Sequence, residues 1–185
     1  VKNCRTTLSR LSPQAETDNS GDTGDVYQQV QATAMRLLVR REHSALELRR
    51  KLNDRGYTAA AVESVIVALL EAGALSDRRF ADLYVQGRFE RGFGPVRIGV
   101  ELRERGVDAA LIEAALGSYA ASDWQLSARR QRHKRFGAGR PAAFTERVRQ
   151  MRFLQQRGFS AGQIRTVLED ETEAAARDAC PGDPI

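Results

Sequence analysis

Reactive side chains are scarce in this chain. Of its 185 residues, two are cysteine and two are histidine. Cys4 and Cys180 stand near opposite ends in polar surroundings, a usage that gives neither a disulfide framework nor metal-ligand spacing. His43 and His133 each lie beside arginines and read as solvated surface histidines. No glycine-rich loop runs into Lys-Ser or Lys-Thr, so no phosphate-cradling loop of the ATPase type is present. Gly92-x-Gly94 and Gly137-x-Gly139 lack a third glycine and a preceding strand, and read as loops. Glu101 and Glu104 read as exposed helix surface flanking Arg103 and Arg105. The expectation is a protein without catalytic residues, cofactor or metal. No apolar run approaches the roughly 20 residues of a membrane helix. The polar N-terminus has no apolar core of a signal peptide. These absences point to a cytoplasmic protein with no membrane partner, and a monomer is expected.

What the chain does contain is a phrase written three times. It reads Leu52-x-x-Arg55-Gly56-Tyr57, Leu102-x-x-Arg105-Gly106-Val107 and Leu154-x-x-Arg157-Gly158-Phe159. Apolar residues follow each glycine at +6 and +10: Val62 and Ile66, Ile112 and Leu116, Ile164 and Leu168. Glycine tolerates the left-handed conformation that closes a helix, and arginine in the last turn faces the negative end of the dipole. The +6 and +10 residues then share the buried face of the next helix. The glycines are 50 and 52 residues apart, so the phrase marks an internal repeat with Gly56, Gly106 and Gly158 as structural hinges. Aligned on them, Leu48 matches Ile98, Leu52 matches Leu102 and Ser44 matches Gly94.

Read in order, the pattern predicts an all-α fold of nine helices in three units. Residues 1–26 are polar and read as a disordered tail. The first unit, 27–75, starts at Tyr27 with Val30, Ala34, Leu37 and Leu38 inward. Ser44-x-x-Glu47 is a capping box for its second helix, and Thr58 caps a third with Val62, Val65, Ile66 and Leu69 inside. The second unit, 76–120, turns Phe80, Leu83, Tyr84 and Gly87 inward, opens its middle helix with Pro95, and caps the last at Asp108. The third unit, 121–171, is expected to begin with a Ser122-x-x-Gln125 box and to be anchored by Trp124. Phe144, Val148, Met151 and Leu154 form its next buried stripe, and Ser160-x-x-Gln163 caps the final helix. Residues from about Thr172 to 185 read as a flexible tail.

The net charge of +5 is unevenly placed: residues 119–171 alone carry eleven basic and five acidic side chains. Such a face suits an anionic partner, either nucleic acid or an acidic protein surface. The candidate contacts are Arg129, Arg130, Arg132, Lys134, Arg135 and Arg140, with Arg40, Arg41 and Arg91 beside short connections. Arg55, Arg105 and Arg157 read as structural.

Several stretches resemble the RecX family of bacterial RecA regulators. They are Leu37-Leu38-Val39-Arg40-Arg41-Glu42-His43-Ser44 leading to Glu47-Leu48-Arg49-Arg50-Lys51-Leu52, then Leu75-Ser76-Asp77-Arg78-Arg79-Phe80-Ala81 with Tyr84-Val85. Gly94-Pro95-Val96-Arg97-Ile98 with Glu101-Leu102, and Phe153 through Ser160, complete the match. It spans about Ala34 to Leu168 and is weakest in the third unit before Met151. The resemblance implies tandem three-helix repeats in a curved, elongated molecule. It also implies binding to RecA and to the groove of the RecA–DNA filament, limiting filament growth, strand exchange, ATPase and co-protease activity. Residue patterns alone leave open a direct nucleic-acid-binding helical module and a generic helical-repeat scaffold for another protein.

Overall fold

The computed structural model describes residues 20–139, 141 and 143–178, with side chains from residue 24 to 169. Among the described residues there are nine α-helices and no strand. The first three are α1 (Ser20–Arg40), α2 (Ala45–Asn53) and α3 (Ala59–Glu71). α4 (Asp77–Glu90), α5 (Pro95–Glu104) and α6 (Ala109–Gly117) follow, then α7 (Ala121–Phe136), α8 (Phe144–Arg157) and α9 (Ala161–Asp178). Within each triplet the first and third helices pack together and the middle helix lies across them.

The three hinge glycines have φ of +86°, +76° and +86°, as the repeated phrase requires. At two of them the C-terminal hydrogen bonds are complete. Gly106 N donates to Arg103 O and Val107 N to Leu102 O, while Gly158 N donates to Gln155 O and Phe159 N to Leu154 O. Val107 and Phe159 fold back into their cores, each nearly fully buried. Three apolar clusters result, one per triplet.

Two helices are longer than the sequence pattern suggests. α1 begins at Ser20, before the expected Tyr27, because Asp25 favours the N-terminal part of a helix and Val26 packs on the first core. α9 runs to Asp178 through a Glu- and Ala-rich stretch of good helix formers. Of the expected tails, 1–26 and 172–185, residues 20–26 and 172–178 are helical, and 1–19 and 179–185, with both cysteines, lie outside the described residues.

Other corrections concern which face is inward. Leu83 is 55% exposed, and Ala81 and Val85 are buried in its place. Phe144 is 80% exposed. α7 starts at Ala121, with Asp123 Oδ2 accepting from Ala120 N at 2.9 Å, so Ser122 lies inside the helix and caps nothing. Trp124 anchors the second core, not the third: it meets Phe89 edge-on at 5.0 Å and Tyr119 at 5.4 Å. The first turn of α7 thereby ties the third repeat to the second.

His43 is the sharpest departure, being 1% exposed where a solvated side chain was expected. It fills the turn between α1 and α2, with Nδ1 2.9 Å from Arg41 O and Nε2 3.1 Å from Lys51 Nζ. Nδ1–H donating and Nε2 accepting from the ammonium requires a neutral ring. Burial, then the Arg41 charge, hold its pKa below the usual histidine value. The folded state thus binds this proton less readily than the unfolded state. Its contribution to stability is complete above about pH 6.5 and declines as pH falls from there toward the lowered folded pKa. Thermal midpoints of the wild type should fall between about pH 7.5 and 5.5 more than those of His43→Gln. Parallel pH profiles for the two would contradict this.

Candidate interaction surface

The repeated Arg-Gly phrase closes a helix and also receives the preceding repeat. At the first joint the N-terminus of α2 meets the C-terminus of α5. Ser44 Oγ accepts from Glu47 N at 3.1 Å and donates to Arg105 O at 2.7 Å. Glu47 Oε1 lies 3.2 Å from Arg105 Nε, and its Oε2 lies 3.0 Å from Arg41 Nη1. Leu46 covers Gly106 so closely that a Cβ there would stand 2.7 Å from Leu46 Cδ2. α4 locks the same corner: Asp77 Oδ1 accepts from Ala45 N at 2.8 Å, and Arg79 pairs with Glu42 at 3.0 Å.

The second joint repeats this arrangement between α5 and α8, with backbone in place of the serine. Gly94 N donates to Arg157 O at 2.8 Å and Val96 N to Gly158 O at 3.0 Å. Arg97 Nη1 donates to Gln156 O, and Arg157 Nη1 to Arg91 O, both at 3.1 Å. A Cβ on Gly158 would lie 2.6 Å from Arg97 N, and one on Gly94 would overlap the Gly158 carbonyl. Gly94 is therefore more than a loop residue. It matches Ser44 because both positions must let the next repeat approach.

Beside this joint Glu101 is largely buried, contrary to the exposed reading. It accepts from Tyr84 Oη at 2.8 Å and pairs with Arg88 at 2.8 Å and Arg97 at 3.0 Å. Burial pushes its carboxyl pKa up, but the Tyr84 and Arg97 hydrogen bonds and the Arg88 and Arg97 charges outweigh this and hold it below the ordinary value. Arg88, Arg97 and Arg157 surround the Phe93 ring at 4.9, 4.7 and 5.5 Å. These cations are tied to structure.

The remaining candidates divide by exposure. Arg130, Lys134 and Arg135 are exposed along α7, and Arg129 is half-buried. Arg132 is fully buried: its Nε donates to Gln150 Oε1 at 2.7 Å and its Nη2 to Gly139 O. It clamps α7 to α8 and to the following loop, which takes it off the exposed basic face. Arg41 is spent on Glu47 and on the Glu42 carbonyl. Arg91 is exposed and its carbonyl is the one Arg157 caps; Arg40 is exposed at the end of α1. Arg140 lies outside the described residues.

α8 adds cations that the sequence reading left aside. Arg149 and Arg152 join Arg135 around an open groove of about 470 Å³ floored by Phe136 and Phe153. The two rings meet edge-on at 5.3 Å, Arg149 stands 5.3 Å from the Phe136 centroid, and Phe144 is exposed at the head of α8. The i, i+3 spacing of Arg149 and Arg152 was the available signal. Guanidinium forks beside aromatic faces suit phosphates and carboxylates. Among the described residues no acidic, cysteine or histidine cluster could hold a metal, and no helix is long and apolar enough to cross a membrane.

Comparison with known proteins fits this architecture. Family models for the first, second and third three-helix domains of RecX match residues 32–69, 76–116 and 127–168. A regulatory protein RecX of Halorhodospira halophila is 48% identical over 144 residues, covering 78% of this chain and 89% of the relative. One from Stenotrophomonas maltophilia is 43% identical over 132 residues, covering 71% and 80%. The crystal structure of RecX from Lactobacillus salivarius superimposes with a TM-score of 0.72 at 19% identity, covering 81% of this chain and 99% of that one. With each triplet matched in order and both relatives aligned over most of their length, this chain belongs to the RecX family of regulatory proteins.

Proposed function

We propose that this protein binds RecA and the RecA–DNA filament and restrains filament growth, and with it strand exchange, ATPase and co-protease activity. The observation that carries the reading is the exposed basic face of the third repeat, set on a body of three repeats locked end to end. Arg130, Lys134, Arg135, Arg149 and Arg152 present five cations from two adjacent helices, suited to acidic protein surface or DNA backbone along a polymer. A polymer offers the same contact at every protomer, and a row of like repeats can span neighbouring protomers. Nothing in the reading requires bond-making by the chain itself.

Co-sedimentation with RecA filaments on single-stranded DNA tests it. The wild type should pellet with the filament. Arg130→Glu, Lys134→Glu and Arg135→Glu together should leave most of it in the supernatant while the melting temperature holds. Equal pelleting of both proteins would remove the basic face from the account.

The Phe136–Phe153 floor and the exposed Phe144 favour a second reading, direct contact with single-stranded DNA, since aromatic faces stack on bases. Salt dependence on naked DNA separates the two: log K should fall with a slope of roughly −0.7 per phosphate contact if DNA alone is the ligand.

A further inference from the structure

The joint that links the repeats is made twice, yet its receiving surface occurs three times. Arg105–Gly106 receives α2, and Arg157–Gly158 receives α5. Arg55–Gly56, on the first repeat, receives nothing among the described residues. A Cβ on Gly56 would meet no atom within 4 Å. Arg105 and Arg157 are half-buried by their occupants, whereas Arg55 is exposed. The surface is nevertheless preformed. Arg55 Nη1 holds Lys51 O at 2.6 Å, the posture in which Arg105 Nη1 holds Glu101 O at 2.6 Å. Beside it lies an open groove of about 400 Å³ lined by Thr33, Arg36, Leu37, Arg40, Arg55 and Tyr57. Tyr57 Oη and Thr33 Oγ1 lie 3.0 Å apart and fix its floor.

We propose that this open joint is a docking site for the first turn of an acidic helix from a partner protein. The occupied first joint states the recognition rule. The incoming helix has a small residue at its N-cap, an aliphatic side chain at the second helical position to cover the glycine, and glutamate at the third to meet the arginine. Ser44, Leu46 and Glu47 play these parts toward Arg105–Gly106. Around Gly56 three arginines converge, and among the described residues neither Arg55 nor Arg40 is in an ion pair, so the complementary charge must be brought by the occupant. A second copy of this chain does not bring it. The free N-terminus of α8 has Ala143 at its N-cap and Glu146 at its third helical position, but Thr145 stands where an aliphatic side chain must cover the glycine, and Glu146 is already held by Arg149 at 3.5 Å and Gln150 at 3.3 Å.

The site is independent of the basic face of the third repeat and is tested without RecA. The probe is a fluorescent peptide of about 16 residues that opens Ser-Ala-Leu-Glu-Leu, as residues 44–48 do, on an alanine- and glutamate-rich helical stem. Anisotropy with the full chain should show saturable binding. Lysine in place of the fourth residue of the peptide, or Arg55→Glu in the chain, should each weaken it about tenfold or more, and the two changes together should restore it. Arg40→Glu supplies a second chain variant if Arg55→Glu does not fold. Equal binding by wild type and variants, or no saturable binding, overturns the proposal. So does sedimentation showing that the chain self-associates and that Arg55→Glu abolishes it, because the occupant would then be a second copy.

Discussion

Alanine at Gly158 lowers the denaturation midpoint well below that of the wild type, while alanine at Gly56 lowers it less. All three hinge glycines sit at positive φ, where any L side chain costs about 1–2 kcal/mol. They differ in what a Cβ would strike. At Gly56 it meets open space. At Gly106 it meets Leu46, whose side chain can shift in part. At Gly158 it meets the backbone and Cβ of Arg97, which are held by the hydrogen bonds of the second joint. Overpacking of that kind adds about 1–3 kcal/mol. The expected order of loss is Gly158→Ala, then Gly106→Ala, then Gly56→Ala, spanning about 1–5 kcal/mol. Trp124, the single tryptophan, sits in the second core beside α7 and reports the unfolding by fluorescence. Equal losses at the three sites would mean that the glycines serve only as helix ends.

Arg132→Glu unfolds the third repeat or destabilises it by about 3–5 kcal/mol, the cost of leaving a buried charge uncompensated. The carboxylate would face Gln150 Oε1 and the Gly139 carbonyl, both acceptors, from a fully buried position. Arg132→Met keeps much of the volume and removes the charge, so its loss should be smaller, reflecting the two acceptors left unpaired at about 1–3 kcal/mol each. Arg130→Glu, two residues away and exposed, should stay within about 0.5 kcal/mol of the wild type. Urea titration of the three variants measures this. A loss at Arg130 equal to that at Arg132 would contradict the clamp. The contrast also matters for function, because reversing Arg132 together with Arg129 and Arg130 would confound lost binding with lost folding.

Much of the fold was legible because its signals are local. A glycine at positive φ, an arginine before it and two apolar residues one turn apart are all decided within a few residues, and they recur in register. The caps at Ser44, Thr58, Asp108 and Ser160 were legible for the same reason. Periodicity was less able to choose between overlapping faces. Leu83 and Phe144 each lie on an apolar stripe, yet both face solvent. Trp124 follows a helix start that belongs to the third repeat, but its ring reaches back to Phe89.

The candidate surface was only partly visible. A run of basic residues in α7 gives no sign that one of them, Arg132, is enclosed, because its partners Gln150 and Gly139 come from elsewhere in the chain. The joints were hidden for a similar reason, since they bring together residues about 60 apart. Their trace was the small residue twelve positions before the hinge glycine, Ser44 in one repeat and Gly94 in the next. The third repeat carries Glu146 at that position, and no joint forms there among the described residues.

The proposed regulation of RecA by this helical-repeat chain works by contact alone. The most direct measurement is RecA ATPase activity on single-stranded DNA, titrated with the full chain. A saturable fall in hydrolysis is expected, requiring higher concentrations when Arg130, Lys134 and Arg135 are reversed. Hydrolysis unchanged up to one chain per RecA protomer would contradict it.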